Sequence, residues 1–167
     1  MTVSDYTLEP LMIAHRRPVI DIFNYYIKNG FEAYREIPLG YEYFDSLLEK
    51  SKEWPAIVAK APSNDVIGFA YLHPYSNIET FKRTAKVTYF IHPEHTRKGV
   101  GKGFLEELVL RARRFGVDNL LAHISSLNEA SLNFHLKNGF QECGRFKEIG
   151  RKLGRDFDII WVQRRLS

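Results

Sequence analysis

Tyr89-Phe-Ile-His-Pro-Glu-His-Thr-Arg-Lys-Gly-Val-Gly-Lys-Gly-Phe-Leu105 reads in order as the end of a strand, a basic glycine-rich loop and the start of a helix. Lys86–Ile91 is β-prone, and His92-Pro93 stops it because the residue before a proline is pushed out of the helical region. Phe104, Leu105, Leu108, Val109 and Ala112 then recur with a helical period. Between them, Gly99-Val-Gly-Lys-Gly103 strips side chains from the backbone, so that N–H groups can approach an anion. A helix start adds unpaired donors and the positive end of the helix dipole. Arg97, Lys98 and Lys102 reinforce that field, and the set suits a diphosphate. It is neither a P-loop nor a dinucleotide fingerprint, since Phe104 stands where each pattern needs a glycine. Taken alone, the same glycines suit a softened helix start with solvated lysines equally well.

Working outward, residues 16–29 and 41–51 carry amphipathic helical patterns, the first ending at Gly30. Trp54–Lys60 and Val66–Leu72 form a hairpin across the turn residues Pro62-Ser-Asn-Asp65. Leu120–Ile124 reads as a buried strand. Ser126-Leu-Asn-Glu129 reads as a capping box opening a helix that closes at Gly139. Phe140–Phe146 and Phe157–Val162 are strands joined by a loop rich in Gly, Lys and Arg. An antiparallel first half followed by strand–helix crossovers predicts an α/β fold. Its single mixed, mostly antiparallel sheet is flanked by helices, in one domain over residues 1–167.

Composition narrows the function classes. With 44% apolar and 14% aromatic residues in 167, the chain can fill a core. No apolar run approaches the roughly 20 residues of a bilayer span, and Met1–Tyr6 has no leader pattern. A cytoplasmic protein is expected, without membrane contact. Cys143 is the single cysteine, which excludes a disulfide framework and a cysteine zinc site; it reads as a small core residue. No metal is expected. The formal net charge of +4 is too small to announce nucleic-acid binding, and no stacking aromatics interleave with the basic loop. A second basic set, Arg145, Lys147, Arg151, Lys152 and Arg155, reads as a solvated face.

The strand–loop–helix stretch resembles the acyl-CoA-binding motif of the GCN5-related N-acetyltransferases (GNAT). Asn128-Glu-Ala-Ser-Leu-Asn-Phe-His-Leu-Lys-Asn-Gly-Phe140 resembles that superfamily's second signature. Arg17–Ile27, Tyr34-Arg-Glu-Ile-Pro38, Gly68-Phe-Ala-Tyr-Leu-His-Pro-Tyr75 and His135 are similar to the phosphinothricin/methionine-sulfoximine acetyltransferase branch. The resemblance implies the acyl-CoA N-acyltransferase fold, with acetyl-CoA in a split between Lys86–Ile91 and Leu120–Ile124. Backbone at Phe90 and Ile91 would pair with the pantetheine arm. The N–H groups of Lys98, Gly99, Val100, Gly101 and Lys102 would take the diphosphate, with Arg97 beside Thr96 supplying a charge the motif usually places one residue earlier. Asn128 and Ser131 would contact the cofactor arm, and His135 would stand near the thiol. A homodimer is the assembly common in the branch.

Direct acyl transfer needs a neutral amine, and free α-amines near pH 7 are mostly protonated, so a general base contributes about 10²–10⁴-fold. Two departures from the branch fall on this step. Its glutamate base position is Lys86 here, and its carboxylate-binding arginine is Ile78. Glu36, His73 and Glu79 are the nearby substitute bases, alongside a catalytic role for His135. Arg83 is the substitute carboxylate binder, and Tyr34, Tyr71, Tyr75 and Phe81 are pocket candidates. His135 also reads as a packed histidine, and Asn128 as ordinary helix-start chemistry. Two functions follow: an acetyl-CoA-dependent N-acetyltransferase for a small amine or amino-acid-like acceptor, or a non-catalytic acyl-CoA-binding module that has lost the glutamate.

Overall fold

The computed structural model describes residues 5–167. Seven strands form one sheet: β1 (Thr7–Pro10), β2 (Ala56–Lys60), β3 (Val66–Pro74), β4 (Thr84–Ile91), β5 (Asn119–Ser125), β6 (Gln141–Lys152) and β7 (Arg155–Arg165). Their spatial order is β1-β2-β3-β4-β5-β7-β6, antiparallel throughout except for the β4–β5 pair. Helices α1 (Arg16–Asn29) and α2 (Tyr43–Lys50) cover one face; α3 (Val100–Arg114) covers the other, with α4 (Glu129–Lys137) beside it. Strand alternation divides the core accordingly. Val58, Phe69 and Phe90 face α1, while Ile57, Ala70, Leu72 and Val87 pack with Phe104, Leu105 and Leu108 of α3.

The predicted mixed sheet and its flanking helices are present. Three local expectations are corrected. The loop expected between the last two strands is itself strand: β6 and β7 run on to a tight turn at Leu153 (φ 51°) and Gly154 (φ 73°). Two consecutive left-handed residues make a hairpin turn whose twist matches the strands, and glycine makes the second of them easy. The cap of α4 is Asn128, whose side-chain oxygen accepts the Ser131 N–H at 3.2 Å, rather than Ser126. Ser126 Oγ instead accepts the Asp158 N–H of β7 at 2.9 Å. Cys143 is exposed on the edge strand β6, not in the core.

The basic set at the C-terminus is not wholly solvated either. Lys152 is 1% exposed. Its Nζ donates to the carbonyls of Gly30 and Ala33 at 2.6 Å each, and to Tyr26 at 3.3 Å. These carbonyls belong to the end of α1 and the loop after it, where no helical donor remains. The lysine thus ties that loop to the far end of the β6–β7 hairpin.

Candidate active site

Two neighbouring strands part in the middle of the sheet. β4 and β5 pair only at Thr84–Asn119, Ala85–Leu120 and Lys86–Leu121. Beyond that, β4 stays with β3 as far as Ile91, while β5 stays with β7 through Ser125. The result is a wedge-shaped split that opens toward the Arg97–Gly103 loop. Tyr26 Oη hydrogen-bonds to the Ile91 carbonyl at this end, and the Phe90 ring packs among Phe23, Tyr26 and Phe69. The Phe90 ring therefore belongs to the core, which leaves its backbone, the part expected to meet the pantetheine arm, as its contribution to the split.

At the mouth, Gly99 takes a left-handed φ of 84° and ends the loop as the first flanking residue of α3. Gly103 N–H donates to the Gly99 carbonyl at 3.0 Å, the first bond of the helix ladder. Among the described residues, the N–H groups of Arg97 through Lys102 meet no acceptor within the chain. Arg97 and Lys98 are exposed beside them, and among the described residues Lys102 pairs only with Glu106, at 3.7 Å. A consecutive run of free donors on a helix N-terminus, flanked by three cations, fits a diphosphate by both geometry and charge. It encloses the Lys98, Gly99, Val100, Gly101 and Lys102 donors expected from the sequence.

His135 stands across the split, buried at 3% exposure. Nδ1 lies 2.7 Å from the Ser131 carbonyl and must donate to it, which leaves Nε2 to accept the Tyr89 O–H. Burial pushes this imidazole down to about 4, partly offset by the Ser131 carbonyl, and pushes the Tyr89 phenol upward. With both nitrogens engaged, His135 has no free lone pair for a substrate proton, and the packed reading accounts for it. Ser131 Oγ sits 3.4 Å from the same ring, and Asn128 Oδ1 is committed to the cap.

On the α1–α2 face the split is lined by basic groups. Lys86 lies opposite His73 on β3, and two residues beyond its β5 partner Leu121 comes His123. Burial first, then the Lys86 charge, holds both imidazoles below their ordinary range, His73 at about 4. His73 Nε2 is 3.4 Å from Thr88 Oγ1. Beyond it, a recess of about 230 Å³ lies between α2 and β3, walled by Tyr43, Leu47, Trp54, Phe69 and Tyr71. Tyr34 does not line that recess; it stacks on His123 at 5.5 Å and on Phe157 at 5.8 Å, on the β5–β7 side of the split.

Other candidates lie elsewhere. Arg83 gives its guanidinium in two hydrogen bonds to Asp118, at 2.8 and 2.5 Å, and so is not a free carboxylate binder. Its guanidinium and that carboxylate hold each other charged, the arginine shifted up and the aspartate down. Glu36 and Glu79 are exposed, and among the described residues neither side chain hydrogen-bonds or ion-pairs with the split's residues. Tyr75 is 45% exposed, edge-on to Phe81. Among the described residues one trio, His92, Glu94 and His95, brings ligand-type atoms within 4.8 Å, although His92 Nδ1 already accepts the Glu94 N–H. Sequence reasoning missed His123, Tyr89 and Lys152. For His123 a signal existed: it interrupts the apolar run Leu120-Leu-Ala-His-Ile124.

Residues 19–140 match the sequence profile of the acetyltransferase (GNAT) family. The chain is 28% identical over 153 residues to the L-methionine sulfoximine/L-methionine sulfone acetyltransferase of Pseudomonas paraeruginosa, covering 89% of this chain and 88% of that one. Its fold superimposes on a phosphinothricin acetyltransferase from Sinorhizobium meliloti in complex with AcCoA, with a TM-score of 0.90 and 29% identity over 98% of this chain and 89% of that one. It is equally similar to a ribosomal-protein-alanine N-acetyltransferase from Brucella melitensis, with a TM-score of 0.90 and 28% identity, covering 96% and 99%.

Proposed function

The chain belongs to the acetyltransferase (GNAT) family and is an acetyl-CoA-dependent N-acetyltransferase; from that premise we propose that it acetylates the amino group of a small amine or amino-acid-like acceptor. The observation that carries this reading is the alignment of two features: six free backbone donors at the start of α3, and the parting of β4 from β5 directly below them. Acetyl-CoA supplies the acetyl group as a thioester. The Arg97–Lys102 backbone holds its diphosphate, while Arg97, Lys98 and Lys102 neutralise charge at the rim. Tyr89, held by His135, and the Asn128–Ser131 turn border the split on the α3–α4 face. The acceptor enters on the α1–α2 face, among Tyr34, Tyr71, His73 and Lys86. The named relatives act on an amino-acid analogue or on an alanine amine, which supports an α-amine as the group acetylated. The alternative of a non-catalytic module finds no support among them, since each is named for an acetyltransferase activity.

The enzyme works as one domain and, in this reading, as a cytoplasmic homodimer. Among the described residues no helix is long and apolar enough to cross a membrane. Edge strand β6 leaves Phe146 and Ile149 exposed at 56% and 57%, apolar area that a second copy would cover. Acetyl-CoA incubated with a panel of amines and amino acids, read by release of free thiol, tests the activity. Tight acetyl-CoA binding with no thiol release above the buffer blank for any panel member would overturn it.

A further inference from the structure

The basic lining of the acceptor face has a directional arrangement. β4 and β5 part immediately after Lys86, and the alternation of β5 puts His123 on the same face as Lys86. His123 is the second residue past the last pair, and its ring is fixed there. It stacks on Tyr34, and its centre lies 5.0 Å from that of Trp161. Tyr34 Oη donates to the His123 backbone carbonyl at 3.1 Å and lies 3.2 Å from Nδ1. Because the phenol's one hydrogen goes to the carbonyl, Nδ1 must carry its own hydrogen and donate, which places the lone pair on Nε2. Among the described residues Nε2 has no hydrogen-bond partner. His73, by contrast, lies one strand away from the split, with Nε2 turned to Thr88.

Lys86 has no carboxylate partner among the described ion pairs, and the groups facing it across the strands are His73 and His123. A half-buried cation beside two neutral imidazoles leaves a positive charge for a ligand to balance. We infer that His123 Nε2 is the proton acceptor of the transfer and that Lys86 anchors a carboxylate on the same acceptor, so that the site selects α-amino acids over amines lacking the acid group. This rests on the acetyltransferase reading above and deepens it. The charged and titratable groups around His123 are Lys86 on β4, His73 on β3 and Tyr34 on the α1–α2 loop. Burial and Lys86 keep His123 neutral, as a base near pH 7 must be.

One ammonium proton of the acceptor passes to His123 Nε2 and from there to water. The freed nitrogen pair forms the N–C bond to the thioester carbonyl carbon. As the C–S bond breaks, its electron pair leaves on sulfur, and the second amine proton ends on that sulfur. Amide and CoA thiol result, with no oxidant, reductant or metal required.

The test uses the full chain with acetyl-CoA, free L-amino acids and the matching L-amino acid amides, following thiol release. Wild-type protein should prefer acid to amide. In Lys86→Met the ratio of kcat/KM for acid over amide should fall at least 10-fold. In His123→Asn, kcat should fall about 100-fold on acids and amides alike while acetyl-CoA affinity stays within 2-fold. His123→Gln, which keeps more of the ring's length, carries the same expectation should the asparagine variant melt early. An unchanged acid-to-amide ratio in Lys86→Met, or kcat within 3-fold of wild type in both folded His123 variants, would overturn the inference while leaving the activity standing. A wild-type protein that binds acetyl-CoA but acetylates nothing would overturn the activity, and this assignment with it.

Discussion

Replacing Lys152 by methionine probes how the acceptor side is held in place. The methionine keeps the length and apolar stem of the lysine but removes three donors from a site that is 1% exposed. Two of its hydrogen bonds are 2.6 Å long and reach the Gly30 and Ala33 carbonyls; the third, to Tyr26, is longer at 3.3 Å. Leaving a buried carbonyl without a partner costs about 1–3 kcal/mol. Relief from burying a charge, which already pulls the lysine below its ordinary range, offsets part of that. A net loss of about 3 kcal/mol is expected, and at roughly 2–4 °C per kcal/mol for a chain of this length the Tm should fall by about 6–12 °C. Thermal melting followed by circular dichroism measures it. Ala33 directly precedes Tyr34, so the same variant should raise KM for the acceptor more than it weakens acetyl-CoA binding. A Tm within 2 °C of wild type would instead make the lysine a tolerated burial rather than the tie that holds the loop.

Gly101→Trp should weaken acetyl-CoA binding at least 30-fold by calorimetry while leaving the melt close to wild type. The nearest side-chain atoms to a Cβ there are those of Ile91 at 3.4 Å and Phe134 at 3.6 Å, ordinary van der Waals distances, so the backbone accepts a side chain whose ring then fills the cradle; unaltered affinity would refute the diphosphate site. His135 gives a pH dependence of stability. Its folded-state value is lowered to about 4, so the unfolded chain binds the extra proton first, and stability is lost as pH falls from about 6.5 toward 4. Between pH 7 and pH 5 this histidine should account for about 2 kcal/mol, seen as a smaller shift of the urea midpoint in His135→Gln than in wild type. Phe146→Glu on the exposed edge strand should shift a dimer to monomer in sedimentation equilibrium; a wild-type chain already monomeric at micromolar concentration would refute the β6 interface.

The strand–loop–helix stretch was legible because its information is local. Pro93 ends a strand, glycines bare the backbone, and the apolar period of Phe104 to Ala112 declares a helix. Side chains are not needed to make that cradle, so three-dimensional context adds little to it. The hairpin end misled for a related reason. Gly150, Lys152 and Gly154 resemble loop composition, but a long edge strand with most of its residues exposed carries no alternation to reveal it. Arg83 and Lys152 show the general limit. A sequence assigns a charge to both, while only the fold supplies the Asp118 that occupies one and the three carbonyls that bury the other.

By itself, then, the sequence determined the order of elements and the anion cradle at the start of α3, since each depends on residues close together in the chain. The strand–helix alternation already implied the mixed sheet, although its β1–β2, β4–β5 and β5–β7 pairings join residues far apart in the chain. The sequence also marked Lys86 and Ile78 as departures on the acceptor side. What stands in their place was decided by tertiary structure alone. Tyr34, His73, Lys86 and His123 come from four separate segments, and only strand register and the α1–α2 loop bring them to one face. The protonated nitrogen of His123 is set by a phenol 89 positions away, a constraint no local pattern can encode.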